Sequence, residues 1–280
     1  TKKLNYGVDF KGGRTFVVRF DEPVDNESVR NSLANYFIDD SGLKMFPEVK
    51  TFGDNNQVKI TTKFLIDSKE LSADVVVAEK LDNGLSNIGN YEIMSSQKVG
   101  PTIADDIKVS ALWSIIFSLL VIFLYILLRF RKWQFSLGAV SAVFHDVLIV
   151  LSIFSLFYGI LPFSLEIDQA FIAALLTIIG YSLNDTVVVF DRIREHMSLY
   201  KKKEFTSLVN NALNSTLSRT VNTSLTTFFV LLVIFLFGGE VIRGFMFALM
   251  VGVIVGTYSS LFVASPIMVD TIKKSEGDKN

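Results

Sequence analysis

Residues 170–190 read AFIAALLTIIGYSLNDTVVVF, an apolar run that contains a carboxylate. A run of about 20 apolar residues is long enough to cross roughly 30 Å of hydrocarbon. Asn184 and Asp185 stand inside this run, and Arg192 and Arg194 follow just beyond its end. Because hydrocarbon solvates a carboxylate poorly, Asp185 must find a partner, take up a proton or face water. Asp185 is therefore the first candidate functional residue.

The composition indicates a membrane protein. Half of the 280 residues are hydrophobic (50%), 25 are Phe, and the mean hydropathy is +0.43, which is too apolar for an ordinary soluble domain. The formal net charge of -1 and the lack of a long basic run argue against nucleic-acid binding. The absence of cysteine excludes thiolate catalysis and disulfides, and two histidines are too few for a His-rich metal site. We expect no metal and no cofactor.

Five runs have the length of a membrane span. They are residues 109–128, 135–157, 170–190, 217–237 and 245–268. Basic residues follow the first, third and fifth runs; they are Arg129, Arg131, Lys132, Arg192, Arg194, Lys201, Lys202, Lys203, Lys273 and Lys274. The positive-inside rule then predicts that the connector 191–216 and the tail 271–280 are cytoplasmic. Within the membrane domain, 103–270, Gly252 and Gly256 form a GxxxG pattern that favours close helix packing.

The first part of the chain, residues 1–102, has no run of span length and is predicted to be an external α+β domain. Strands are expected at 14–20, 49–52, 57–62 and 91–99, and helices at 26–37 and 70–87, with a turn at 53–56. This βαββαβ order is typical of a ferredoxin-like domain. An external domain at the start of a chain requires an export signal or a preceding span, so we expect one further span upstream of Thr1.

The fourth span contains a basic residue that is a candidate partner for Asp185. Its purely apolar part, 228–237, is about half of the required length, so the polar segment that contains Arg219 must also enter the membrane. Thr223 and Thr226, four and seven residues after Arg219, would extend a polar surface along one helix face, suited to pairing with Asn184 and Asp185 or to holding water. One interpretation is a structural ion pair between helices. The other is a proton carrier, since burial favours a neutral carboxyl group and a nearby guanidinium favours a charged one.

His145 and Asp146 lie near the middle of the second span, and two interpretations of this pair stay open. The first is a secondary relay for protons. The second is a polar pair that specifies helix packing, because adjacent helical residues point about 100° apart and cannot both line one path.

Three segments resemble sequences typical of the SecF family. The first is Tyr6–Gly13, YGVDFKGG, which is similar to the G-x-D-F-x-G-G signature through Gly7, Asp9, Phe10, Gly12 and Gly13. The second and most characteristic is Gly180–Arg194, GYSLNDTVVVFDRIR. The third contains Ser218, Arg219 and Thr220, with Thr223 and Ser224 downstream. The His145–Asp146 pair in the second span is also part of the match.

The resemblance implies an α-helical membrane bundle with five of the family's six spans, either as a separate SecF or as the SecF half of a fused SecDF chain. It implies a non-enzymatic auxiliary component of the Sec export machinery in the bacterial inner membrane, within the resistance-nodulation-division superfamily. The expected partners are SecD, the SecYEG translocon, YajC, membrane lipid and unfolded preprotein. The implied mechanism is coupling of export to the proton motive force, with Asp185 and Arg219 as proton-coupling residues and Asn184, Thr220 and Thr223 beside them. A further essential acid of the family belongs to SecD. Asp9, Gly12 and Gly13 are expected to shape the exit from the upstream span, with the glycines permitting positive φ, rather than to perform chemistry.

Three other functions compete with this interpretation. A small-molecule or lipid exporter of the same superfamily would need a substrate-sized route and usually has larger external domains. A membrane aspartyl protease would use Asp146 and Asp185 as acid and base, but the chain lacks the expected G-x-G-D context. A passive scaffold for the translocon would need no proton coupling at all.

Overall fold

The computed structural model of the chain describes residues 4–39, 42–68, 72–200 and 202–277. The chain forms two compact units. We call Asn5–Ser110 with Tyr158–Gln169 the sheet unit, and Ala111–Phe157 with the residues from Ala170 onward the helical unit. Three sequence predictions lie outside the described residues: the start of the second helix at Glu70, the basic residue Lys201 and the last three residues of the tail.

The sheet unit contains four strands and three helices before the first long helix. They are α1 (Val8–Lys11), β1 (Gly13–Phe20), α2 (Asn26–Ala34), β2 (Glu48–Phe52), β3 (Asp54–Thr62), α3 (Ala73–Ser86) and β4 (Tyr91–Val99). The strands form one sheet in the order β2-β3-β1-β4, and every neighbouring pair is antiparallel. From β1 to β4 the elements follow the predicted βαββαβ order. Assignment to the ferredoxin-like class stays a prediction.

The core of the sheet unit lies between the sheet and helices α2 and α3. Alternate residues of a strand point to the same face, and Phe16, Val18 and Phe20 of β1 are buried together with residues of α2 and α3. Asp25 caps α2 by accepting a hydrogen bond from the Ser28 backbone N–H at 3.0 Å. The turn between β2 and β3 is shorter than predicted, because Gly53, with φ of 88°, reverses the chain alone.

The helical unit is built from long apolar helices. The bounds are α4 (Pro101–Phe130), α5 (Trp133–Phe157), α6 (Gln169–Leu199), α7 (Phe205–Phe237), α8 (Glu240–Ser259), a π-helical turn (Ser260–Ala264) and α9 (Ser265–Gly277). Residues 240–275 form one continuous span, so the described part of the chain has five helices long and apolar enough to cross a membrane. The five predicted spans each fall within one of these helices.

Two helices extend well beyond the predicted spans. The predicted connector 191–216 is divided between the end of α6 and the start of α7, and only residues 200–204 separate the two helices. Arg192 links them, since its Nε donates to Ser215 Oγ at 2.9 Å. Hydropathy marks the part of a helix that lies in hydrocarbon, whereas the backbone hydrogen bonds continue into water, which explains the difference.

Close packing of α6 against α8 depends on two glycines. A Cβ atom at Gly252 would overlap the side chain of Ile178, and one at Gly256 would lie 3.0 Å from Cβ of Ser182. Small residues let helix backbones approach closely in membrane proteins. The predicted packing role of Gly252 and Gly256 is confirmed.

Candidate functional site

Asp185 lies at the centre of a hydroxyl network that joins three helices. Its side chain, on α6, is buried, with 3% exposed. Ser224 of α7 donates a hydrogen bond from Oγ to Asp185 Oδ2 at 3.2 Å. Thr257 of α8 in turn donates from Oγ1 to Ser224 Oγ at 2.6 Å. We call Asp185, Ser224 and Thr257 the α6–α8 hydroxyl site.

The chemistry of this site permits two protonation states of the carboxyl group. A hydroxyl group can donate to a carboxylate and can also accept from a carboxylic acid, so Ser224 has a hydrogen bond to offer in both states. No ion pair to Asp185 occurs within residues 4–39, 42–68, 72–200 and 202–277. A buried carboxylate without a cation in contact is costly, and proton uptake removes that cost. The site is therefore suited to binding and releasing a proton.

A structural ion pair between Asp185 and Arg219, one of the two interpretations of the sequence, is absent from the described residues. Arg219 is exposed, and it acts on Asp185 only through space. Asn184 and Thr223 are exposed as well, and Thr223 Oγ1 donates to the Arg219 carbonyl at 3.0 Å within its own helix. The polar surface that we predicted on α7, with Arg219, Thr223 and Thr226, thus lies to one side of the site.

The buried polar face of α7 is shifted by one residue from the predicted one. Thr216, Thr220 and Ser224 are buried, four residues apart, and therefore share a face. One residue corresponds to about 100° of rotation around a helix, which is enough to move Arg219 out of the site. Thr220 is 1% exposed, and its hydroxyl group has no hydrogen-bond partner among the residues that the structure covers. Thr220 is thus the one predicted residue of α7 that shares the face of Ser224.

Asp146 forms a second buried carboxyl cluster on α5. Ser182 of α6 donates from Oγ to Asp146 Oδ2 at 2.6 Å, and His145 Nδ1 lies 3.2 Å from Asp146 Oδ1. Asp146 is 1% exposed, whereas the side chain of His145 is about one-third exposed (32%). Asp146 and Asp185 have different hydrogen-bond partners, unlike the shared pair that an aspartyl protease requires.

Sequence reasoning missed the hydroxyl residues that hold the two carboxyl groups. Ser182, Ser224 and Thr257 were not candidates, because serine and threonine are common on many faces of these helices. The spacing does contain a signal, since Ser182 precedes Asp185 by three residues and so lies on the same face of α6.

The glycine-rich segment of the sheet unit is held by hydrogen bonds and close backbone contacts. The Asp9 carboxylate is buried; Gln97 Nε2 donates to Oδ1 at 2.8 Å, and the Gln169 backbone N–H donates to Oδ2 at 2.8 Å. Gly12 and Gly13 have φ of 68° and 145°, and a Cβ atom at Gly13 would lie 3.0 Å from the Thr62 carbonyl oxygen.

Gly7 of this segment lies against residues 166–168. The Gly7 backbone N–H donates to the Ile167 carbonyl at 2.9 Å, and Phe10 is buried.

Among the described residues, no group of three or more His, Asp or Glu side chains is placed to hold a metal ion.

Two family descriptions match the chain. Residues 80–274 match the family described as protein export membrane protein SecD/SecF, C-terminal, and residues 1–24 match the SecD/SecF GG motif. The protein translocase subunit SecF of Rhodothermus marinus is 48% identical over 271 residues, which cover 96% of this chain and 84% of that protein. SecF of Helicobacter pylori is 36% identical over 266 residues, covering 95% and 77% of the two chains.

Solved structures of SecDF have a similar fold. A crystal structure of SecDF from Thermus, described as a translocon-associated membrane protein, matches with a TM-score of 0.80 and 34% identity. The match covers 96% of this chain and 34% of that SecDF chain, so the chain spans about a third of it. A super-membrane-facing form of SecDF matches with a TM-score of 0.65 over 99% of this chain. The chain therefore belongs to the SecD/SecF family of protein-export membrane proteins and is a multi-pass membrane protein with a role in Sec-dependent export.

Proposed function

We propose that this chain, paired with SecD, uses the proton motive force to promote preprotein translocation, and that Asp185 takes up and releases the proton. The observation that carries the proposal is the α6–α8 hydroxyl site. Within the described residues, the Asp185 carboxyl group is buried in a span and accepts a hydrogen bond from a serine hydroxyl group, which can serve it in both protonation states. Ionisable residues inside membrane spans mark proton and ion pathways more often than structural contacts.

Helix movement provides the coupling to mechanical work. Asp185, Ser224 and Thr257 belong to three different helices, so a proton on Asp185 changes which partner donates and which accepts across both helix contacts. A local change in hydrogen bonding can bias an element with two arrangements. Arg219 contributes a positive charge at a distance, which favours release of the proton.

The proposed orientation follows from charge. The basic residues beyond the ends of α4, α6 and α9 face the cytoplasm under the positive-inside rule, and the sheet unit faces the outside. In this arrangement the sheet unit is available to preprotein that emerges from SecYEG, and YajC and SecD are partners within the membrane. SecD is either a separate subunit or part of the same polypeptide.

The test is Asp185→Asn in membrane vesicles that contain the complete complex with SecD and the translocon. Asn keeps the shape and can still accept from Ser224, but it cannot take up a proton at neutral pH. We expect proton flux and proton-dependent export to fall to the level of vesicles that lack the complex. Thr177→Val is the matched control, because Thr177 is an exposed residue of α6 whose hydroxyl group donates to the Ala173 carbonyl of its own helix. Wild-type flux and export in Asp185→Asn would refute the proposal and favour a passive scaffold.

A further inference from the structure

The proposed function leaves one buried acid unused. Asp146 is as deeply buried as Asp185, and its Oδ2 accepts a hydrogen bond from Ser182 at 2.6 Å. A structural polar pair needs no carboxyl group, since a serine or an amide would satisfy the same donors at lower cost.

The groups that face Asp146 come from three helices. His145 of α5 lies at 3.2 Å, Ser182 of α6 donates to it, and Ser259 of α8 lies beside it. In the described parts of the chain no Lys or Arg forms an ion pair with Asp146, and His145 is the only titratable group in contact with it. Two arrangements therefore avoid an isolated buried charge: a neutral carboxyl group, or a carboxylate beside a protonated His145. Both require a proton to arrive.

The position of Ser182 places Asp146 next to the α6–α8 hydroxyl site. Ser182 and Asp185 are three residues apart on one face of α6, which corresponds to a rise of about 4.5 Å, or less than one helical turn. Gly256 lets α8 approach Ser182 closely, and the next residue, Thr257, reaches Ser224. The α8 segment that contains Gly256 and Thr257 thus packs against Ser182 and Ser224, the hydroxyl partners of Asp146 and Asp185.

The last span changes its helical form directly after this segment. The π-helical turn Ser260–Ala264 begins immediately after Ser259, and a Cβ atom at Gly138 of α5 would lie 2.5 Å from the Ala264 carbonyl oxygen. A π-helical turn inserts an extra residue and redirects the side chains before and after it, and such turns occur frequently at functional sites. Here the turn sets which residues of the last span face α5 and Asp146.

We propose that Asp146 is a second proton-holding residue and that Ser182, which lies less than one turn of α6 from Asp185, is its positioning residue. This inference rests on the proposed function of Asp185. In the proposed orientation, Ser182 precedes Asp185 on the way in from the outside. A proton from the external water binds the Asp146 carboxylate, then leaves it for Asp185, and the Asp146 carboxylate is regenerated.

The experiment measures proton flux in vesicles that contain the complete SecD complex, under an imposed pH gradient, for Asp146→Asn, Asp146→Glu and Ser182→Ala. Asp146→Asn is expected to lose flux several-fold, because Asn still accepts from Ser182 but carries no exchangeable carboxyl proton. Asp146→Glu should restore a substantial part of the flux. Ser182→Ala should keep flux at its optimal pH but shift the pH dependence of flux, which a packing role would not do.

Asp185→Asn, measured in parallel, separates the two proposals. Loss of flux in Asp185→Asn with wild-type flux in Asp146→Asn would overturn the role of Asp146 and leave the proposed function standing. Unchanged flux in Asp185→Asn would overturn the proposed function itself. If Asp146→Asn fails to assemble, Ser182→Ala decides, because an unshifted pH profile would then refute the inference.

Discussion

Glu166 and Asp74 of the sheet unit and Asp185 of the helical unit have different kinds of partner. In the sheet unit, Lys59 Nζ donates to Glu166 Oε2 at 2.5 Å, and Asp74 receives hydrogen bonds from Lys98 at 2.6 Å and Arg14 at 2.5 Å. In the helical unit, Asp185 is held by a serine hydroxyl group. A cation keeps a carboxylate charged, whereas a hydroxyl group is compatible with either protonation state. The contrast separates Glu166 and Asp74, whose contacts with cations favour the charged state, from Asp185, which we propose exchanges a proton.

The largest effect on proton flux is expected when Asp185 is given a cationic partner, as Glu166 and Asp74 have in the sheet unit. Ser224→Lys places an ammonium group beside Asp185, where it would keep the carboxylate charged. We expect proton flux in vesicles with the complete complex to fall to the level of Asp185→Asn. Ser224→Met is the matched control, because it has similar length without the charge and should retain more flux. Equal flux in Ser224→Lys and wild type would show that charge at this position does not matter.

A smaller effect is expected when the cation of the sheet unit loses its partner. Glu166→Gln leaves Lys59 without a carboxylate, and both side chains of the pair are mostly buried, with 19% of Lys59 and 12% of Glu166 exposed. We expect the local free energy of unfolding to fall by about 1–3 kcal/mol, a range set by the cost of an unpaired buried polar or charged group. Hydrogen exchange at the amides of β1 and β3 measures this change, with about tenfold faster exchange for each 1.4 kcal/mol.

The matched control for this ion pair is the exposed pair of Glu27 and Arg30. Glu27→Gln removes the partner of Arg30 on the surface of α2, where the two side chains are 62% and 44% exposed. Surface ion pairs contribute below about 1 kcal/mol, so exchange in this variant should be close to wild type. Equal effects of Glu166→Gln and Glu27→Gln would mean that burial of the Lys59–Glu166 pair is energetically unimportant. Proton flux should be unchanged in both variants.

The smallest effect concerns the acid dependence of the sheet unit. Hydrogen bonds from Lys98 and Arg14 lower the pKa of Asp74 below its ordinary value. A lowered pKa in the folded state gives stability that is present above the unfolded pKa of about 3.9 and is lost as pH falls through the folded pKa. Asp74→Asn should therefore reduce the loss of stability on acidification below about pH 4.

Hydrogen exchange of β1 and β4, measured from pH 5 downward and corrected for intrinsic exchange rates, tests this prediction. Asp25→Asn provides a comparison on another element, since its carboxylate caps α2 through Ser28 and its pKa is also lowered. The change in Asp74→Asn should be confined to β1, β4 and α3. An identical pH profile in wild type and Asp74→Asn would contradict it.

The architecture could be predicted because the length of the apolar runs and the periodicity of apolar residues determine it. Five apolar runs predicted five spans, and alternating residues predicted the βαββαβ order, including β4 with the bounds Tyr91–Val99. The ends of the helices were less predictable, because α6 continues past the hydrocarbon to Leu199 and hydropathy does not record that extension.

The partners of the buried acids could not be predicted from local patterns. Asp185 was identified because a carboxylate in an apolar run is costly wherever the helix packs. Its partner depends on the rotation of α7, and hydroxyl residues at 218, 220, 223, 224, 226 and 227 occupy several faces of that helix. Arg219 was predicted as the partner of Asp185 because it carries the opposite charge. The direct hydrogen bond to Asp185 comes from Ser224 instead. Ser182 and Asp146 meet across 36 positions of sequence, a distance that no local spacing encodes.

The most direct test of the central claim is infrared difference spectroscopy of the complete SecD complex in membranes, recorded as the pH is lowered across the range in which export operates. The carbonyl stretch of a protonated carboxyl group reports proton uptake without any assumption about flux. We predict that wild type and Glu166→Gln gain a band that Asp185→Asn lacks, because the band belongs to the Asp185 carboxyl group. Identical difference spectra for wild type and Asp185→Asn would contradict the assignment of Asp185 as the proton-binding residue.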